Sequence, residues 1–384
     1  MELRHKKNRQ VIDPISILSH LNDHASLSDK LHTLLDFIKQ RHPFMIRIAV
    51  ALYDENTDVI KTFIHATDGQ NPLPHYQTLL ANSKSLTQIK NDRKPRVLND
   101  MNPLSLINTE HSNKISETGF QSSFTVPIYQ GDHFLGFIFF NSSVLNNMEH
   151  HVISDLMVIA HLINMLITNE LNFISTTKDV TRSITSLASH RNLETGQHLT
   201  RISHFSRMMA HELAIERELS DEYVEQLFIF SPLHDIGKIA IPDKILCKPG
   251  KLTEKENALM QTHTIKGHEF ITDLQKNLDM LSPQSCEVLQ NIVRYHHECW
   301  DGSGYPEKLA GEAIPLEARI VAVADVFDAL TSNRVYKERW PFDKAVDYML
   351  EKRGSQFDPD CVNKFLENQD EVELIINKFQ ETYA

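Results

Sequence analysis

The feature that most restricts the fold is a change of pattern along the chain, because strand signals almost vanish from about residue 185 onward. Beyond that point apolar residues recur every three or four positions, which places them on one face of a helix. Helices are predicted for residues 199–213, 221–233, 254–274, 286–297, 316–332, 342–352 and 359–366. Residues 185–384 are therefore predicted to form an all-α domain.

The first 150 residues instead alternate between helix and strand patterns. Residues 27–41 predict a helix, and residues 46–65 and 122–140 each predict a hairpin with a polar turn. A chain of 384 residues is long enough for two hydrophobic cores. We therefore expect an α+β multidomain protein: residues 1–150 form an antiparallel sheet with helices, 151–184 a linker helix, and 185–384 the helical domain.

The N-terminal order of helix, hairpin, irregular segment, hairpin and helix resembles that of GAF domains. The resemblance rests on Phe124-Thr125-Val126-Pro127-Ile128, followed by Gly131 and by Phe134-Leu135-Gly136-Phe137. It implies a sensory domain or a domain used only for dimerisation, and the sequence leaves both open. GAF domains can bind cyclic nucleotides, tetrapyrroles or no identified ligand. Because this half contains no cysteine, a chromophore linked to it through a thioether is excluded.

Between the two halves, apolar residues alternate at spacings of four and three positions. They are Val152, Leu156, Ile159, Ile163, Leu166, Phe173, Val180 and Ile184, with Glu170 and Thr177 as interruptions. Such a heptad pattern is typical of a coiled coil. A helix packed within one chain carries the same pattern, and the sequence does not separate the two. If the seam joins two chains, the protein is a parallel homodimer through the GAF-like domain and the linker helix.

Composition and charge exclude several classes of protein. The formal net charge of −12 speaks against affinity for DNA or RNA, whose binding surfaces are usually basic. No apolar segment of a secretion signal follows the charged N-terminus, and the apolar stretch 156–167 is too short to span a bilayer. The four cysteines, at positions 247, 286, 299 and 361, lack CxxC spacing and are predicted to be reduced thiols. We therefore expect a cytoplasmic protein without membrane insertion.

Histidines and carboxylates stand close together at three places in the C-terminal half. They are the His234-Asp235 step, Glu194 with His198 four positions later, and the His296-His297 step before Asp301-Gly302-Ser303-Gly304-Tyr305-Pro306. The His234-Asp235 step follows an apolar segment that predicts a buried helix, where an unpaired carboxylate is costly. Neutral imidazoles and carboxylates are the side chains that hold divalent transition metals. A surface pair would also explain Glu194 and His198, but the three places together predict a hydrolytic site with several metals.

These motifs resemble those of a known family. His234-Asp235 with Gly237-Lys238 resembles the HD phosphohydrolase motif, and His296-His297-Glu298 with residues 301–306 resembles the signature of the HD-GYP subfamily. The similarity extends over residues 185–370 and includes residues 324–332 and 356–359. HD-GYP proteins are bacterial phosphodiesterases that hydrolyse the second messenger cyclic di-GMP, often downstream of a sensory domain. The resemblance implies that activity here, with pGpG, GMP or both as products.

The resemblance also implies a set of metal ligands. They are Glu194, His198, His234, Asp235, His263, His296, His297 and Asp325. Imidazole and carboxylate ligation without thiolate suits two or three iron or manganese ions, or zinc. Glu194 decides between two metals and three, because a glutamate at this position is the form associated with a third metal. Metals held this way lower the pKa of bound water and neutralise charge on the phosphate oxygens.

Further roles follow from the same resemblance. Asp235 and Lys238 are assigned to catalysis, with Lys238 stabilising or protonating the leaving oxygen of the substrate. Arg334 and Lys337 are assigned to the other phosphate of the dinucleotide, and Tyr305 with its neighbouring glycines to the substrate entrance.

Two other functions stay open. No sequence feature identifies guanine, so one alternative substrate is another cyclic dinucleotide such as cyclic GMP-AMP. A second alternative is a non-catalytic receptor or adaptor that binds the dinucleotide or a diguanylate cyclase. Degenerate members of the family lack several ligands or the Gly-Tyr-Pro loop, whereas this chain keeps all of them, which favours the enzyme.

Overall fold

The computed structural model describes residues 25–102, 117–187, 196–278, 281–332 and 339–380, together with Leu21 and Ile115. The chain divides into two compact units, Met1–Thr168 and Asn169–Ala384. The first unit contains a sheet with helices, and the second is built from helices, so the predicted fold class is confirmed.

The first unit is organised around a six-stranded antiparallel sheet. Its strands are β1 (Met45–Asp54), β2 (Val59–Thr67), β3 (Gln77–Leu79), β4 (Arg96–Leu98), β5 (Ser122–Gln130) and β6 (His133–Ser142), in the order β3-β2-β1-β6-β5-β4. Both predicted hairpins are confirmed, since β1 pairs with β2 and β5 pairs with β6. Pairing of β1 with β6 joins the two hairpins at the centre of the sheet.

Of two helices in this unit, the sequence pattern predicted one and did not predict the other. Helix α1 (Leu27–Arg41) has the predicted bounds and buries five apolar side chains along one face. Helix α2 (Lys84–Asp92) was not predicted, because this part of the sequence was expected to be irregular. Only Leu86 and Ile89 are buried in it, too few for a clear period, and its start is fixed by the side chain of Ser83, which accepts from the Leu86 N–H.

The linker residues form one continuous helix, α3 (His150–Leu187). Its segment His150–Asn172 has a mean hydropathy of 1.6 and the length of a membrane span, so the expectation that the apolar stretch is too short was wrong. Core helices meet the same criteria, and the seam residues Val152, Leu156 and Ile163 are at most 1% exposed within this single chain. Packing within the chain therefore accounts for the first part of the seam. The side chains of its later positions, from residue 173 on, lie outside the described part, and the coiled coil stays a prediction.

The second unit contains a succession of helices. They are α4 (Gly196–Ala214), α5 (Asp221–Phe230), α6 (Asp243–Leu246), α7 (Glu254–Gln261), α8 (His263–Leu278), α9 (Pro283–Tyr295), α10 (Leu316–Thr331), α11 (Phe342–Lys352), α12 (Pro359–Glu367) and α13 (Gln369–Lys378). The single helix predicted for residues 254–274 is two helices that meet at Thr262. Helices α6 and α13 were not predicted.

The backbone around His234 and Asp235 is not the predicted buried helix. Helix α5 ends before Pro232, which has no N–H to continue the helical hydrogen bonds. The chain continues as two 3-10 turns, Ser231–Leu233 and Ile236–Ala240, and Asp235 lies between them with φ −98° and ψ 15°. The two residues therefore project from a tight turn.

Two apolar clusters hold these elements in place. In the first, the rings of Phe205, Phe327 and Phe365 lie 4.7–6.1 Å apart and join α4, α10 and α12. The second joins the turn at Ile236 to α8 and α9 through Ile271 and Ile292 among others. Every element that carries a described candidate ligand is thus tied to one of these clusters or directly adjoins it.

Candidate metal centre

The structure brings seven of the eight predicted ligands into two groups. The first group is Asp235, His263, His296 and His297, and the second is His198, His234 and Asp325. Within each group, one possible ligand atom per residue lies within 4.8 Å of the others. Because His234 and Asp235 are consecutive, the two groups adjoin. Glu194 lies outside the described residues.

A close backbone approach brings the first group together. A Cβ atom on Gly237 would lie 1.9 Å from the carbonyl oxygen of His263 and 2.6 Å from the nitrogen of Gly267. Only glycine permits this contact between the second 3-10 turn and α8. The contact places Asp235, two residues before Gly237, beside His263 at the start of α8.

Four buried histidines of the centre are oriented through their Nδ1 atoms. The partners are the carbonyl oxygens of Ser231 for His234 (2.8 Å), Met260 for His263 (2.8 Å) and Ile292 for His296 (2.9 Å), and Oδ2 of Asp328 for His198 (2.6 Å). Carbonyl and carboxylate oxygens accept, so each Nδ1 donates and leaves the lone pair of a neutral ring on Nε2. That is the tautomer in which a histidine binds a metal through Nε2.

Asp235 lies between the histidines of both groups. Its Oδ1 is 3.1 Å from Nε2 of His263 and 3.7 Å from Nε2 of His296, and its Oδ2 is 3.2 Å from Nε2 of His234. Lys238 forms an ion pair with the same carboxylate. Burial raises the pKa of Asp235, but the neighbouring ammonium of Lys238 lowers it, and that pKa lies well below its usual range. An ionised carboxylate in this position faces histidines of both groups and would help to hold a metal ion there.

The atoms of the first group fit a bound metal ion. Within the described chain, Asp235 Oδ1, His263 Nε2 and His296 Nε2 are buried and form no hydrogen bond of good geometry. Each such buried atom costs about 1–3 kcal/mol, which coordination would offset. Burial and the neighbouring His296 lower the pKa of His297 well below its ordinary value, so its ring is the neutral form that binds metals. Imidazole and carboxylate donors without thiolate fit iron, manganese or zinc.

The loop after the two histidines is tied to Glu298. This buried carboxylate accepts the backbone N–H groups of Glu307 (2.6 Å) and Leu309 (3.1 Å). Gly304 packs on the backbone just after the histidines, where a Cβ would lie 2.3 Å from the nitrogen of Cys299. Neither Glu298 nor Cys299 is in the two groups of possible ligands, in agreement with their omission from the predicted set.

Tyr305 borders the centre directly. Its ring centroid is 4.8 Å from that of His297 and 6.4 Å from that of His263. Burial raises the pKa of its phenol, which is therefore protonated at neutral pH. Arg334 and Lys337, predicted to hold the second phosphate, lie outside the described residues. The assigned roles of these three residues and of Lys238 stay predictions.

Sequence reasoning missed one buried residue of the centre, Asp328. Its carboxylate accepts from Nδ1 of His198 and from Nε and Nη2 of Arg201, and it is fully buried. The sequence contained a signal for it: Asp328 follows Asp325 by three residues, so both side chains lie on the same face of α10. Asp328 thus orients a candidate ligand while Arg201 balances its charge.

Comparisons with known proteins agree with this arrangement. Residues 181–361 match the family model of the HD domain. The chain is 46% identical over 195 residues to the cyclic di-GMP phosphodiesterase response regulator RpfG of Xanthomonas campestris pv. campestris, covering 51% of this chain and 49% of that relative. It is 40% identical over 215 residues to a cyclic di-GMP phosphodiesterase of Vibrio cholerae, covering 55% and 43%. The 3′3′-cGAMP-specific phosphodiesterase 2 of V. cholerae is 38% identical over 196 residues, covering 51% and 35%. The chain thus spans about half the length of these relatives or less.

Solved structures show only a distant likeness. The GAF domain of an Acinetobacter phosphoenolpyruvate-protein phosphotransferase is 14% identical with a TM-score of 0.30, covering 39% of this chain and 87% of that chain. A cyclic GMP-AMP specific phosphodiesterase of V. cholerae is 21% identical with a TM-score of 0.33, covering 53% and 51%. A likeness at these scores carries no argument about fold, ligand or partner, so the GAF resemblance rests on the sequence motifs and on the order of helix and hairpins.

Proposed function

Because residues 181–361 of this chain match the family model of the HD domain, we propose that the protein is a metal-dependent phosphodiesterase that hydrolyses cyclic di-GMP. The observation that carries this function is the position of Asp235, whose ionised carboxylate lies between His263 of one ligand group and His234 of the other. Two adjoining groups of neutral histidines and carboxylates suit the hydrolysis of a phosphodiester. The names of the relatives support the substrate.

The reaction adds water across one bond between phosphorus and the 3′-oxygen and yields linear pGpG, and a second cleavage yields GMP. When bound, metal ions lower the pKa of water and neutralise the phosphate oxygens. Iron or manganese is our proposal for their identity. Asp235 and Asp325 contribute the negative charge that holds them, and the Nδ1 hydrogen bonds keep the histidine rings aimed at them.

We assign the remaining roles in the reaction to side chains other than the candidate metal ligands. We assign Lys238 to the departing 3′-oxygen, to which its ammonium donates a proton, because it already reaches Asp235. Tyr305, a protonated phenol beside His297, lines the side from which the substrate enters. Arg334 and Lys337 hold the second phosphate of the ring.

The function is tested by assaying the full chain with both candidate dinucleotides. The protein is purified without oxygen, loaded with iron or manganese, and incubated with cyclic di-GMP or 3′3′-cyclic GMP-AMP. We expect linear pGpG or GMP from cyclic di-GMP, measured by chromatography, and none after removal of the metal with a chelator. If only cyclic GMP-AMP is cleaved, that dinucleotide replaces cyclic di-GMP as the proposed substrate. Binding of cyclic di-GMP without any product, in metal-loaded protein, would instead identify a receptor.

The number of metals is a separate prediction. Replacing Glu194 by glutamine is expected to remove no more than one metal ion per chain, because the seven described ligands remain. The measurement is metal content per chain by plasma mass spectrometry. Glu212→Gln, a change at a half-buried side chain of α4 outside the two ligand groups, serves as the control and should leave the content unchanged. Full metal content in the Glu194 variant would refute its role as a ligand.

Several wider features belong to the same proposal. We propose a cytoplasmic homodimer in which the N-terminal domain regulates the phosphodiesterase, with a diguanylate cyclase as a further partner. The net charge of −12 supports the absence of a nucleic acid polymer among its ligands.

A further inference from the structure

Glu170 interrupts the apolar seam of the linker helix α3, and it lies outside the two groups of candidate ligands. Seam positions of a packed helix normally carry apolar side chains. Glu170 is nevertheless only 7% exposed. The boundary between the two compact units falls after Thr168, so this residue lies where α3 enters the second unit. A buried carboxylate is costly unless hydrogen bonds compensate it, so its partners in the second unit indicate its role.

The carboxylate of Glu170 is bound at the beginning of helix α9. Oγ of Ser285 donates to its Oε1 at 3.2 Å. Ser285 is the third residue of α9, and the hydroxyl of Ser282 caps the same helix by accepting the N–H of Ser285 at 3.1 Å. The first turn of a helix favours negative charge, because its N–H groups have no partners within the helix. The linker helix is therefore joined to the end of α9 that lies opposite the two candidate ligands His296 and His297.

The hydroxyl of Ser285 also joins helix α5 to this contact. Nε2 of Gln226 on α5 donates to it at 3.0 Å, and Oγ of Ser282 lies 2.9 Å from it. A hydroxyl group has one proton and two lone pairs. With Gln226 and Ser282 on its two lone pairs, Ser285 directs its proton at Glu170. One acceptor on α3 thus sets the direction of a buried network that includes two helices of the second unit.

Both of these helices lead to candidate metal ligands. His296 and His297 follow directly after α9, and α5 leads through one 3-10 turn to His234 and Asp235. Cys286, in the first turn of α9, belongs to the apolar cluster that packs this helix against the turn. Close-packed interiors transmit displacements because they leave little free volume. A shift at the start of α9 is therefore expected to move ligands of both groups.

We propose that Glu170 is a positioning residue through which the linker helix sets the spacing of the metal ligands. This role rests on the proposed phosphodiesterase function, and it identifies the contact through which the N-terminal domain regulates that function. With the carboxylate on Ser285, the start of α9 is held and the ligands stay together. A rotation of α3 that withdraws the carboxylate releases α9, and His296 and His297 then move away from Asp235.

The test measures the affinity of the full chain for manganese by calorimetry, together with its melting temperature. Manganese binding is a readout that needs no turnover of cyclic di-GMP. Glu170→Leu removes the acceptor and continues the apolar seam, so it should fold and bind manganese roughly threefold to thirtyfold more weakly. Glu170→Gln keeps an oxygen acceptor and should restore the affinity to within about twofold of the native value.

A double-mutant cycle assigns the effect to this contact. Ser285→Ala should weaken manganese binding about as much as Glu170→Leu does, and the double variant should be no weaker, because both changes remove the same hydrogen bond. Asn169→Leu is the matched control, since it places the same side chain at the neighbouring exposed position of α3. Val372→Ala controls for stability: it leaves a cavity in α13, so it should melt lower and bind manganese as the native chain does.

Several results would overturn this role. One is native manganese affinity in both Glu170→Leu and Ser285→Ala, and another is an effect of the two changes that simply adds in the double variant. A Glu170→Leu chain that only melts lower, as Val372→Ala does, would show a structural residue. If Glu170→Leu does not fold, Ser285→Ala compared with Glu170→Gln provides the same test.

Failure of this role is distinguishable from failure of the proposed function. A native chain that cleaves cyclic di-GMP, with variants of native manganese affinity, removes the role of Glu170 alone. A native chain that binds manganese and forms no product removes the phosphodiesterase, whereas weaker manganese binding in Glu170→Leu still supports the positioning of the ligands by α3.

Discussion

Replacing Asp235 by asparagine is expected to empty the first group of metal ligands and to lower turnover of cyclic di-GMP by roughly 10⁴-fold. Asparagine has the same volume, but it lacks the charge that faces His263, His234 and Lys238. The variant keeps the packing of the turn and loses the one carboxylate shared by both groups. The effect is therefore expected in metal content and in kcat, with a fold that stays intact.

Metal per chain, circular dichroism and initial rates measure this effect together. Asp273→Asn is the matched control, because Asp273 lies on α8 with 73% of its side chain exposed. It should behave like the native protein. An Asp235→Asn variant that retains all its metal and at least a tenth of the native rate would contradict the role of Asp235 as a metal ligand.

The largest expected effect on stability comes from Asp328. Replacing it by alanine should lower the free energy of unfolding by about 3–5 kcal/mol, because Arg201 would keep its charge in the interior without the carboxylate that balances it. Both side chains are almost completely buried. His198 would also lose the acceptor for its Nδ1, so metal affinity should fall roughly 10- to 100-fold.

Urea unfolding and metal titration separate the two consequences. Asp328→Asn keeps an acceptor for His198 and should bind metal better than Asp328→Ala. The double variant Arg201→Met, Asp328→Leu removes both charges, so it should be more stable than Asp328→Ala alone. Equal stability of Asp328→Ala and the native protein would show that the pair contributes little. Unchanged metal affinity would show that His198 needs no orienting partner.

The parts of the fold that could be predicted are those determined by residues close together in the sequence. Helices α1 and α11 have their predicted bounds because a full amphipathic period lies within each segment. The break at Thr262 could not be found this way, since neither glycine nor proline marks it in the sequence. The turn at His234 was mistaken for a helix because its apolar flanks outweighed the signal of Pro232.

In the candidate site, too, features set by residues close in sequence could be predicted, and contacts between distant residues could not. Five of the seven described candidate ligands could be singled out from their spacing: the pairs His234-Asp235 and His296-His297, and His198 four positions after Glu194. His263 and Asp325 were implied only by the resemblance to the HD-GYP family. The pairing of Asp328 with Arg201 and His198 joins helices about 130 positions apart, and periodicity carries no information at that distance.

The anchors of the histidine rings also imply an order in which the centre assembles. His234, His263 and His296 are held by carbonyl groups three or four residues earlier in the chain, so a single formed turn orients each of them. The Nδ1 of His198 donates instead to Asp328 on α10, 130 positions along the chain, so this anchor forms only when α10 packs on α4. A metal ion bound at His198 would therefore report that α10 has packed on α4, whereas the rings of the other three histidines are oriented by their own turns.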